Sequence, residues 1–163
     1  MRARGGMKRF GRRMSAGERG SALVEMAVMV PIAMVMLTGL LQFGLYINNS
    51  LELQNATSLA AQYLSVNRGT TAAADPCSLT VTAFKSVSPY LNSSNVTFSF
   101  TFQPQGATSA TAYTGINCTG AASLFTQGAT ATVNAKYPCS LAIYGQNVAP
   151  SCTLQAQVTE VIQ

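Results

Sequence analysis

The sequence predicts an α+β protein: a long N-terminal helix, membrane-spanning and then amphipathic, packed against a small antiparallel sheet of about three strands. Three observations carry this. An apolar segment from Ala22 to Ile47 is interrupted only by Glu25, Thr38 and Gln42. Helical periodicity continues beyond it to about Val66. Three later stretches then alternate apolar and polar residues at period two. A short helix and cysteine-tied loops complete the expected head.

The apolar segment sets the frame. At about 1.5 Å per residue it is about 39 Å long, against about 30 Å of bilayer hydrocarbon. A removable secretory signal has a much shorter apolar region, so this segment reads as a retained anchor. Pro31 lacks a backbone donor and crowds the Ala27 carbonyl, which predicts a bend or loosening there. Past Ile47 the chain turns polar at Asn48, Asn49 and Ser50. Leu53, Ala56, Leu59, Ala60, Tyr63 and Leu64 then recur at threes and fours, predicting one apolar stripe. Asn67-Arg68-Gly69 supplies the stop.

Residues 70–75 are small and connect to Asp75-Pro76, an N-cap followed by proline at the first helical position. A short helix is predicted from Pro76 to Leu91, with Ala83, Phe84, Val87 and Leu91 on one face. The alternation Leu79-Thr80-Val81-Thr82 supports a competing strand reading. The strongest strand is Val96 to Phe102, with Val96, Phe98, Phe100 and Phe102 on one side. Ala129 to Tyr137 and Leu154 to Thr159 repeat the pattern. Long connections, 103–127 and 138–151, separate the strands, and loops of this length are normally functional or tied down.

Charge is sparse and uneven. Of 163 residues only 9% are charged and 48% are hydrophobic, unlike an average soluble domain. Arg2, Arg4, Lys8, Arg9, Arg12, Arg13 and Arg19 oppose Glu18 alone in the first twenty positions. After them, Arg68, Lys85 and Lys136 face Glu25, Glu52, Asp75 and Glu160. A basic arm directly before a membrane-length segment reads as a positive-inside signal and not as a nucleic-acid contact. It keeps the N-terminus cytoplasmic and places the head outside. Arg12-Arg13 is not extended into a twin-arginine signal by the residues that follow.

Cys77, Cys118, Cys139 and Cys152 all follow the apolar segment, which suggests two disulfides in an oxidising compartment. The favoured pairing is Cys139–Cys152 with Cys77–Cys118, although four cysteines allow three connectivities. There is no histidine and no CxxC spacing, so Ser–His and Cys–His nucleophiles are excluded and a zinc site is disfavoured. The few acids are too scattered for a paired-carboxylate or metal site, and no phosphate loop is present. No catalytic, cofactor or metal site is expected. Tyr113, Tyr137 and Tyr144 read as core or strand-edge residues before adhesive ones.

The arrangement Arg19-Gly20-Ser21-Ala22-Leu23-Val24-Glu25, a basic tail ending in glycine with a lone acid five residues later, resembles the processing site of type IV prepilins. The longer run GSALVEMAVMVPIAMVMLTGLLQFGLYINNSLELQNATSLAAQ resembles the TadE family of pilin-like proteins in tight-adherence (Flp) pilus systems. This resemblance covers residues 19 to about 65. It implies a leader, 1–20, cut by a prepilin peptidase between Gly20 and Ser21, which makes Glu25 the fifth mature residue. It implies that Glu25 meets the N-terminal amine of a neighbouring subunit and that Pro31 is a shape feature. The long helix (21–67) then carries an extracytoplasmic head (68–163) in the lollipop plan of such proteins. The expected partners are the bacterial inner membrane, the peptidase, other pilin or pseudopilin subunits and the assembly platform. A first residue of serine instead of phenylalanine, together with a substantial head, favours a minor pilin over a major one. An unprocessed, signal-anchored binding module is the alternative.

Overall fold

A computed structural model of the chain describes residues 16–67, 75–143 and 145–163. Most of the basic arm, the small-residue connection after Asn67, and Tyr144 lie outside the described residues. The chain divides into two units between Thr38 and Gly39, both of which lie in the first helix, and each unit is taken by itself.

Helix α1 runs from Ala16 to Val66. It begins five residues before the expected Ser21 and continues through Pro31 without interruption. In the first unit α1 is the described element. Its residues from Gly20 to Met36 are exposed to solvent, although most are large and apolar. Thr38 satisfies its hydroxyl internally, donating to the Met34 and Val35 carbonyls at 2.9 and 3.0 Å. That back-bonding removes a polar group from an otherwise apolar surface.

The second unit is built on the rest of α1. Leu53, Ala56, Thr57, Ala60, Ala61 and Leu64 are buried at three- and four-residue spacing. Leu59 and Tyr63 were expected in this stripe but are 49% and 39% exposed. The buried face is turned toward Thr57 and Ala61 instead. Thr57 can be buried because its hydroxyl donates to the Leu53 carbonyl at 2.7 Å.

Helix α2 spans Pro76–Val87 and stops four residues short of the expected Leu91. Pro89 disfavours helical backbone at Ser88, which sits at φ −122° and ψ 68°. Leu91 is nevertheless buried by the turn that follows. Phe84 and Val81 anchor α2 in the core, and Thr80 and Ser88 bond back to the Pro76 and Phe84 carbonyls.

Four strands form the main sheet: β1 (Thr97–Gln103), β2 (Thr111–Thr114), β3 (Thr130–Pro138) and β6 (Thr153–Val161). Their spatial order is β2-β1-β3-β6, with every neighbouring pair antiparallel. The three expected strands are present within a residue or two at most ends. β2 lies within the long connection 103–127 expected from the sequence: Tyr113 is its single half-buried residue, and an exposed edge strand carries little alternation. A small hairpin, β4 (Ala142–Ile143) with β5 (Gln146–Asn147), turns at Gly145 in the left-handed region and fills part of the second long connection.

Register explains the packing. Phe98, Phe100 and Phe102 stand opposite Ala135, Val133 and Ala131, so each large ring is paired with a smaller neighbour. Phe84 meets Phe98 edge-on at 5.0 Å, and Phe102 meets Phe125 at 4.8 Å and Tyr113 at 5.9 Å. One continuous core joins the buried face of α1, α2 and the inner face of the sheet.

Both disulfides have the favoured pairing, with Cα–Cα separations of 5.6 Å for Cys77–Cys118 and 5.1 Å for Cys139–Cys152. The second extends the β3–β6 ladder: beyond the Pro138–Thr153 pair, the Cys139 amide donates to the Cys152 carbonyl at 3.1 Å.

Candidate functional site

The residues singled out in the sequence lie along the first unit of α1. Gly20, Ser21, Glu25 and Pro31 are all helical and exposed. A side chain added at Gly20 would meet nothing within 4 Å, so space within the fold does not require glycine there. Ser21 and Glu25 are four residues apart and share one helix face. Glu25 is flanked by Ala22, Val24, Met26, Val28 and Met29. Among the described residues it has neither a hydrogen-bond partner nor an ion pair.

The surroundings are apolar. The most apolar eighteen-residue window of α1 has a mean hydropathy of 2.1, and none of it is buried within the fold. A soluble core helix of this composition would be covered. Left uncovered in water, such a surface would aggregate. The length, composition and exposure of the segment are those of a membrane anchor.

The cysteines belong to the head. Asp75 is the N-cap of α2, where Oδ1 accepts from the Cys77 and Ser78 amides at 2.9 and 3.2 Å. The Cys118 amide donates to the same carboxylate, at 2.9 Å to Oδ2 and 3.1 Å to Oδ1. One acid therefore caps the helix and holds the loop to which the helix is disulfide-bonded. Asp75, Cys77 and Cys118 form a cluster of potential metal ligands, but the two sulfurs are bonded to each other and offer no thiolates.

Glu52 and Tyr90 were not singled out as a site in the sequence. Glu52 Oε1 accepts from the Tyr90 amide at 2.9 Å, tying the turn after α2 to α1, while Oε2 is buried without a partner. A lone acid just past the apolar run was the signal available. Tyr113 and Tyr137 pack partly against the core, as expected of strand-edge tyrosines.

The sequence model of the family described as TadE-like protein matches residues 20–62, the same stretch that carries the resemblance read from the sequence. No curated protein and no solved structure matches the chain.

Proposed function

We propose that the chain is a minor pilin or pseudopilin of a tight-adherence (Flp) system, acting by assembly and not by catalysis. The observation that carries this is the coincidence of the TadE-like match with the exposed apolar helix headed by Gly20, Ser21 and Glu25. In this reading residues 1–20 are a leader, 21–67 the anchoring helix and 68–163 the extracytoplasmic head. A prepilin peptidase of the inner membrane cuts between Gly20 and Ser21. Glycine at the cut costs about 1 kcal/mol of helix stability relative to alanine, which eases local unwinding into the protease.

After cleavage, Glu25 pairs with the new N-terminal amine of an adjacent subunit. In hydrocarbon an unpaired carboxylate is costly, so pairing drives both recruitment and register. Pro31 leaves the Ala27 carbonyl without its helical donor, and a neighbouring helix satisfies it. The helix associates with other pilin subunits and the assembly platform, and the basic arm holds the orientation with the head in the periplasm. The test is complementation of a strain lacking the chromosomal copy. The wild-type chain restores surface Flp pili, and Glu25→Ala, present at equal level in the membrane, fails to. Full restoration by Glu25→Ala would contradict the assembly role.

A further inference from the structure

The turn Ser88–Leu91 is held against α1 close to the outer end of the apolar run. Helix α2 runs back along α1: Pro76 and Leu79 lie beside Leu64 and Asn67, whereas Ala83 and Val87 lie toward Leu59. The turn then reaches Glu52, whose carboxylate fixes the Tyr90 backbone at 2.9 Å. Glu52 is five residues past Ile47, about 7.5 Å along the helix axis. Each interfacial layer of a bilayer is about 5–8 Å thick, so Glu52 falls at the outer margin of that layer. The run is longer than the hydrocarbon is thick, and tilting to accommodate the excess lowers this end further.

What the turn presents suits that depth. The Tyr90 side chain is 83% exposed although its backbone is fixed, and Val87 and Pro89 beside it are also exposed. Lys85, in the last turn of α2, is an exposed cation with no ion pair among the described residues. An exposed amphipathic ring, with an exposed cation in the helix turn that precedes it, suits the headgroup level, where tyrosine is enriched and lysine meets phosphate.

We propose that the Ser88–Leu91 turn, with Tyr90 at its tip and Lys85 behind it, is a lipid-contact site that seats the head on the outer surface of the inner membrane. This rests on the membrane-anchored reading of α1. Docking on lipid holds the head in one orientation before assembly and must be released when the subunit is extracted.

The chain contains no tryptophan, so a single substitution gives a unique fluorophore. The full chain is reconstituted in phosphatidylethanolamine–phosphatidylglycerol vesicles as Tyr90→Trp and, separately, as Leu40→Trp in the apolar run. Quenchers are a headgroup spin-labelled lipid and a lipid brominated deep in its acyl chain. The expected result is that the headgroup quencher removes about half of the Tyr90→Trp emission and the deep bromine little, with the opposite order for Leu40→Trp. In addition, Lys85→Glu in the Tyr90→Trp background weakens headgroup quenching. If Leu40→Trp is quenched by deep bromine but Tyr90→Trp responds to neither lipid, the lipid site is wrong and the anchor stands. Tyr90→Trp emission that follows protein density and not lipid quencher overturns it in favour of a second copy. If Leu40→Trp escapes the deep bromine, the anchored reading fails and the lipid site fails with it.

Discussion

Asp75 shows how much one residue can organise in a head with few charges. Its carboxylate accepts from Cys77, Ser78 and Cys118, joining a helix start to a loop more than forty residues away. Asp75→Ala removes a cap and leaves the Cys118 amide without its acceptor, a loss of about 2–3 kcal/mol in chemical denaturation of the full chain in detergent. Asp75→Asn keeps an acceptor at the cap and loses less. The cap was legible, because Asp-Pro at a helix start has a local mechanism. The bond to Cys118 was not, since no sequence pattern relates the two positions. Phe100 has no exposed surface and stands at the centre of the sheet's inner face. Phe100→Ala is expected to cost about 3–5 kcal/mol by the same measurement.

At the scale of elements, the two disulfides differ in what they constrain. Cys77–Cys118 closes a separation of 41 residues and Cys139–Cys152 one of 13. Chain entropy gives about 4 and about 3 kcal/mol respectively, so the Cys77→Ser/Cys118→Ser protein should unfold at the lower denaturant concentration. Equal midpoints, or the reverse order, would show that the β3–β6 end depends on its bridge more than loop length implies. The long helix and three strands were readable because each carries a sustained period, as in the alternation of Phe98, Phe100 and Phe102. Strand β2 was hidden because an edge strand with one half-buried side chain has no period to read. The helix face was misjudged at Leu59 and Tyr63 for a related reason. In a stripe rich in alanine the apolar spacing does not fix one face, and Thr57, polar by type, is buried because the Leu53 carbonyl satisfies its hydroxyl. Helix α2 ended early because Pro89 acts on Ser88, a local signal outweighed by the apolar spacing of Val87 and Leu91.

At the scale of the whole molecule, the chain carries a membrane-length helix and a small, bridged head that supplies no catalytic constellation among the described residues. The head's stability comes from an aromatic core and two cross-links. The helix keeps its apolar surface uncovered, and the assembly reading assigns that surface to lipid first and to other pilin helices later. The central claim is processing at Gly20–Ser21. Intact-mass analysis of the full chain, co-expressed with a cognate prepilin peptidase and without it, tests this most directly. The account predicts loss of residues 1–20 only when the peptidase is present, and Gly20→Leu abolishes that loss. A full-length mass under both conditions would contradict the claim and leave an unprocessed, membrane-anchored head.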